Sequence, residues 1–284
     1  MTIIQTFDDN AVAQLLKGID IPPQPAVLNV VMREQQRANP DLHKIAAAVS
    51  KDVGLSAAML RAANSPAFGL RKKVTSISQA VILLGLANSM SLVTGLLLRM
   101  TMSSGRDKVK LEHFWDGATD TATICAVLAR RLRIMTPDHA YMLGLFHDCG
   151  IPILMQRFSN YIDILRQANT NSQESITITE DKIFNTNHSV VGYFVTRSWF
   201  LPEEIREIVL HHHDELLLIN KQNDALAKKI GFLTLAEHFS DEFHARYEEG
   251  MWKRTGGKIL EIFDITETDF RDISDEMKEI LSCS

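Results

Sequence analysis

Cysteine is scarce in this chain of 284 residues: there are three, Cys125, Cys149 and Cys283, an odd count without framework spacing. That excludes a disulfide-built secreted domain; reduced thiols in a cytoplasm are expected. A cationic excess is lacking too. Lys and Arg number 30 against 35 Asp and Glu, and the net charge is −5. A dedicated nucleic-acid binder presents a basic field, so nucleic acid is not expected as a partner. The short clusters Arg71-Lys72-Lys73 and Arg130-Arg131-Leu132-Arg133 read as solvated faces. The start, Met1-Thr2-Ile3-Ile4-Gln5, has neither the basic residues nor the apolar core of a signal peptide. The one long apolar run, Val81 to Met100, is interrupted by Gly85, Asn88, Ser89, Ser91, Thr94 and Gly95. A helix end at Gly85 leaves it short of bilayer-spanning length. It reads as two core helices, and no membrane partner is expected. Alternating Val/Ile/Thr runs with hairpin turns are absent, which excludes a sheet protein.

What remains is helix punctuation. Hydrophobic residues make up 45% of the chain, enough for a sizeable core. Asp8 and Asp9 are placed to cap a helix through Lys17. Ile21-Pro22-Pro23-Gln24-Pro25 is a stiff lead-in to a helix ending near Arg37, and Asn39-Pro40-Asp41 starts the next. Ser76-Ile77-Ser78-Gln79 has capping-box spacing before a helix that stops at Gly85. Thr136-Pro137-Asp138 puts a cap, a proline and an acid in the order a helix start prefers, and Leu201-Pro202-Glu203-Glu204 repeats that logic. A terminal helix from Glu267 to Leu281 carries Phe270, Ile273, Met277 and Ile280/Leu281 on one stripe. The polar stretch Ser103-Ser104-Gly105-Arg106-Asp107 is the best internal boundary. The expected architecture is all-α, with two packed helical lobes over residues 1–105 and 106–284.

Helical spacing then shows where the chemistry faces. Ala140, Leu143 and Gly144 lead to His147 and Asp148, and Ile205, Ile208 and Val209 lead to His212 and His213. His188 opens the stripe of Val191, Gly192 and Val195; Leu226, Ile230 and Leu233 lead to Glu237. Four helices thus turn ligand-capable groups toward the core. A lone histidine on an apolar face is usually a hydrogen-bonded core residue, but six acceptors with few cations need one another, water or a metal. Imidazoles with carboxylates suit Fe, Mn or Zn rather than calcium. His43, His113, His139, His238 and His244 lack the pattern and read as surface or structural. Cys149, beside the pair, reads as a small buried residue.

Several segments share an order with a known family. They are Ile21-Pro22-Pro23, Val49-Ser50-Lys51-Asp52-Val53-Gly54-Leu55, Met59 through Asn64-Ser65-Pro66-Ala67-Phe68-Gly69, Leu84-Gly85, Phe114-Trp115, Gly144-Leu145-Phe146-His147-Asp148, His188 through Gly192, Trp199-Phe200-Leu201-Pro202 and His212-His213. From about Ile19 to Ala236 the chain resembles the HDOD proteins, whose domain is named as an output domain related to the HD metal-dependent phosphohydrolases. The resemblance implies that His147-Asp148 match the central pair of the HD ligand series. His188, His212 and His213 match the additional histidines of its binuclear, cyclic-dinucleotide-cleaving branch. The first histidine of the series would fall at Gly117, which has no side chain, and the late aspartate at Glu237, one methylene longer. Asp116 and Asp120 flank Gly117 but lie off the inward stripe. The reading is a non-catalytic signal-transduction module with a remnant metal site and no expected catalytic residue, responding to a signalling protein or a small ligand between the lobes. The alternative is a metal-dependent phosphohydrolase acting on nucleotides or cyclic (di)nucleotides.

Overall fold

The structure, a computed structural model, describes residues 15–23, 25–68, 73–102, 108–170, 174–220, 224–245 and 250–282. It is helical throughout, with no strand among the described residues. The first helices are α1 (Ala26–Gln35), α2 (Leu42–Val49), α3 (Val53–Ala63) and, after a 3₁₀ turn at Pro66–Phe68, α4 (Ile77–Met102). Then come α5 (Lys108–Leu132), α6 (Pro137–Phe146), α7 (Gly150–Arg157), α8 (Tyr161–Thr170), α9 (Ile176–Phe184) and α10 (His188–Ser198). The series closes with α11 (Glu203–His211), α12 (Glu215–Asn220), α13 (Ala225–Phe243), α14 (Met251–Ile262) and α15 (Glu267–Ser282).

Side-chain caps explain many of the starts. Asp41 accepts from His43 N, Asp52 from Leu55 N, Asn187 from Val190 N, and Asp224 from Leu226 N and Ala227 N. Ser76 Oγ accepts from Gln79 N as the capping box requires, but the return bond from Gln79 Oε1 takes the amide of Thr75. The Thr136 hydroxyl makes no cap bond; Pro137 and the acidic Asp138 occupy the first turn of α6. Pro202 is itself the residue before the first turn of α11. The caps expected at Asp8 and Asp9, the boundary at 103–107, and Arg71 and Lys72 lie outside the described residues.

Gly85 sits at φ 74°, a conformation that an L side chain rarely adopts, and breaks α4 where the sequence places the stop. By length and composition α4 could cross a membrane, yet 61% of its most apolar stretch is buried in the protein. One hydrophobic core runs from Leu28 to Leu281, and its largest fully buried side chains include Trp115, Trp199, Tyr161 and Phe146. Trp199 Nε1 donates to the Pro22 carbonyl at 2.9 Å, tying the lead-in loop to the end of α10. In α15, Ile273, Met277 and Leu281 are buried and pack the helix onto the core.

Two glycines set the spacing on which the site depends. A Cβ on Gly144 would stand 2.6 Å from Ala122 Cα, so α6 and α5 touch backbone to backbone. A Cβ on Gly150 would stand 2.1 Å from the His188 carbonyl, so the start of α7 lies directly on the start of α10. These contacts bring the turn His147-Asp148-Cys149 between α5 and α10.

Candidate metal centre

The turn after α6, the first residue of α10, the end of α11 and the middle of α13 meet in one place. Asp148 is the hub. Its Oδ1 lies 3.3 Å from His188 Nε2 and 3.2 Å from His212 Nε2, and its Oδ2 lies 3.3 Å from His147 Nε2. Glu237 Oε1 is 3.2 Å from the same His147 nitrogen. His213 completes the group: its ring centroid is 4.8 Å from that of His188 and 4.1 Å from that of His212. The donor atoms form two sets, Asp148-His188-His212-His213 and His147-Asp148-Glu237, each within 4.8 Å and sharing Asp148. All six residues singled out from sequence therefore converge. His147, His188 and His212 are buried, whereas the Asp148 and Glu237 side chains keep 23% and 22% exposure, so the cluster has an open side.

The backbone fixes the tautomers. His147 Nδ1 donates to the Gly144 carbonyl at 2.8 Å and His212 Nδ1 to the Val209 carbonyl at 2.7 Å. A carbonyl only accepts, so in each neutral ring the lone pair is on Nε2 and faces the cluster. His188 Nδ1 lies 2.6 Å from Glu180 Oε2, which directs its Nε2 inward as well. His188 Nε2 and His212 Nε2 then face one another at 3.3 Å. Two lone pairs at that distance repel unless a proton or a cation lies between them. The chemistry of the donor set, imidazole nitrogens with carboxylates, fits a divalent transition metal.

The charges respond accordingly. Burial opposes charge on His147, but the adjacent Asp148 and Glu237 carboxylates raise its pKa well above 6.5. His188 is raised in the same way, against its burial, by Glu180 and Asp148. Burial also works against the Asp148 carboxylate, yet the imidazoles around it hold its pKa well below the usual range. His213 is driven the other way, by burial and then by His212 and His188, so it stays neutral and able to ligate.

Glu180 and Tyr161 escape the sequence reading. Glu180 is fully buried; one oxygen accepts from His188 and the other from the Tyr161 hydroxyl. A carboxylate holding the far nitrogen of a ligating histidine orients the ring and strengthens it as a donor. The available signal was Glu180 lying between Ile176 and Phe184 at four-residue spacing, an acid on an apolar stripe.

The remaining candidates fall elsewhere. Asp116 pairs with Arg99 at 2.8 Å and Asp120 with His244 at 2.7 Å, while Gly117 between them is buried. His238 stacks on Trp252 at 4.1 Å, and His139 lies 3.7 Å from Glu204. Cys149 is a buried free thiol whose pKa is raised by burial and by Asp148.

A family model described as the HDOD domain matches residues 21–215, more than half of the chain. An uncharacterised protein of Treponema pallidum (strain Nichols) is 25% identical over 244 residues, which cover 84% of this chain and 46% of that relative. The chain thus spans less than half the length of the curated relative it matches. Crystal structures share the fold. An HDOD domain protein of unknown function from Geobacter sulfurreducens superposes with a TM-score of 0.70 at 21% identity, over 95% of this chain and 94% of that one. A protein from Shewanella amazonensis SB2B, provisionally described as a metal-dependent phosphohydrolase, gives 0.68 at 18% identity over 96% and 97%. Another from Marinobacter aquaeolei VT8, provisionally described as a signal transduction protein, gives 0.59 at 19% identity over 96% and 64%.

Proposed function

This chain belongs to the HDOD domain family, and from that premise we propose that it is a non-catalytic signal-transduction module holding a divalent transition metal. We read residues 1–105 and 106–284 as two lobes sharing one core. Fe, Mn or Zn would be held by Asp148, His188, His212 and His213, with His147, Asp148 and Glu237 as a second, smaller set. The first set offers four protein donors, the closed composition of structural sites, whereas hydrolytic sites leave a position for water. The second set has no side chain at Gly117. Bound there, the ion would supply the positive charge that relieves the facing lone pairs.

One observation carries the non-catalytic reading. The cavity of about 470 Å³ beside His213 and Glu237 is lined by Glu174, Glu215, Glu237, Asp241 and Glu242. Among the described residues its two cations are committed: Arg254 Nε lies 2.8 Å from Glu215 and Lys278 Nζ 2.7 Å from Glu242. Phosphoryl-transfer sites aim arginine or lysine at the phosphate, and an approaching phosphodiester here meets acids instead. The module's partner is then a signalling protein or a small ligand rather than a nucleic acid or a membrane. The buried free thiols of Cys125 and Cys149 suit a reducing cytoplasm.

Metal analysis of protein purified without chelator tests the first half: stoichiometric Fe, Mn or Zn is expected, falling in Asp148→Asn, and a metal-free protein overturns it. The second half is tested by supplying Mn or Fe and assaying bis(nitrophenyl) phosphate, nucleotides and cyclic dinucleotides. No turnover is expected. Hydrolysis abolished by Asp148→Ala would establish the other reading, a metal-dependent phosphohydrolase, which the two-sided position of Asp148 between the donor sets favours.

A further inference from the structure

A second cavity, of roughly 660 Å³, opens away from the metal centre where α3 and α4 meet α5 and α6. One wall is apolar, formed by Ala58, Ala62, Leu96 and Leu145. One buried hydroxyl at its edge lacks a partner. Ser65 Oγ is buried and unbonded. Tyr141, only 2% exposed, lines the cavity as well. Buried polar groups are nearly always satisfied, so an orphan hydroxyl at the edge of a cavity is explained by something that enters it. The size and the mix of apolar wall with few polar groups are those of a small-molecule pocket.

The charges select the ligand. Among the described residues, five charged side chains reach the cavity: Arg61, Arg99, Glu112, Asp116 and Asp120. Arg99 is bound to Asp116 at 2.8 Å and to Thr119 Oγ1 at 3.2 Å, Asp120 is bound to His244 at 2.7 Å, and Glu112 has an interaction of its own. Only Arg61 has no ionic partner among the described residues. An ammonium ligand would have to displace a pairing that already exists; an anionic group finds a guanidinium with its donors unspent. Three carboxylates on the same rim disfavour a polyanion.

We propose that this cavity binds a small organic monoanion. Its carboxylate or phosphate group lies on Arg61, its body rests against Ala58, Ala62, Leu96 and Leu145, and it bonds to the hydroxyls of Ser65 and Tyr141. This site is independent of the metal centre, so chelator-treated protein is used throughout. Fluorobenzoate and methyl fluorophenyl phosphate, a diester with a single charge, serve as probes, followed by fluorine NMR line broadening, with fluorobenzylamine as the cationic control. At least one of the anions is expected to bind, the amine not. Arg61→Ala, an exposed position that leaves the core intact, is expected to weaken the anion by about tenfold, and Tyr141→Phe several-fold. The carboxylate and phosphate arms identify which acidic group is preferred. Equal binding of the amine overturns the proposal. So does anion binding indifferent to both substitutions, or no binding of either anion at about 10 mM.

Discussion

The side chain with most leverage over the centre belongs to neither donor set. Glu180 holds His188 by Nδ1 at 2.6 Å and is itself held by Tyr161. Glu180→Gln keeps the volume and one acceptor but removes the charge behind the imidazole. Metal affinity, measured by competition with a chromogenic chelator, is expected to fall about 10–100-fold. Tyr161→Phe should follow with a smaller loss. Unchanged affinity in Glu180→Gln would show that His188 needs no such support. At this scale the sequence was informative about direction and silent about support. His147, Asp148, His188, His212, His213 and Glu237 all face inward because helical periodicity is set by the backbone and legible in apolar neighbours. Glu180 was not legible as a partner, because the contact joins α9 to α10 across a turn whose geometry no periodicity encodes.

At the scale of elements, close helix contact does the positioning, and glycine permits it. Gly150→Ala would drive a methyl to 2.1 Å from the His188 carbonyl, so α7 and α10 must part. A loss of about 1–3 kcal/mol in chemical denaturation is expected, with weakened metal binding, since His188 moves relative to Asp148. The C-terminal helix has its own sensitivity. Glu242 of α13 accepts from Ser274 and Lys278 of α15, both at 2.7 Å. Burial would raise the Glu242 pKa, but these two bonds lower it. His238, stacked beneath Trp252 and Phe270, is lowered by burial. Both folded-state values are depressed, so both contributions are complete above the unfolded values and fade as pH falls. The His238 part declines below its ordinary 6.5 and the Glu242 part below 4.5. The protection factors of the α15 amides, corrected for the intrinsic exchange rate at each pH, should therefore fall from pH 7 toward pH 4, with the upper limb of that fall missing in His238→Phe. The helix start at Asp41 was readable from sequence because its cap is local. The stacking of His238 was not, since Trp252 and Phe270 come from two later helices.

Taken as one body, the protein gathers its chemistry where α6, α10, α11 and α13 converge, so an ion there would staple four helices. Stripping it should lower the melting temperature. At a free metal concentration of 100 times Kd the lost linkage is ~2.7 kcal/mol, or roughly 4–5 °C for a chain of this size. Calorimetry before and after chelation, with Asp148→Asn as the reference, reads this directly; superimposed melts would mean that no ion contributes to folding. The all-helical class was readable because strand signals are absent along the whole chain. The cavity lined by Arg61, Ser65 and Tyr141 was not, because it exists only where four helices leave a gap.

One carboxylate serves both donor sets, Oδ1 toward His188 and His212 and Oδ2 toward His147. Occupancy of the two positions therefore cannot be independent. The first arrival withdraws electron density from the oxygen that the second must use, while also sweeping protons from the neighbouring rings. Loading curves for such a pair would depart from a sum of two simple isotherms, and Asp148, alone among the six, would carry that coupling.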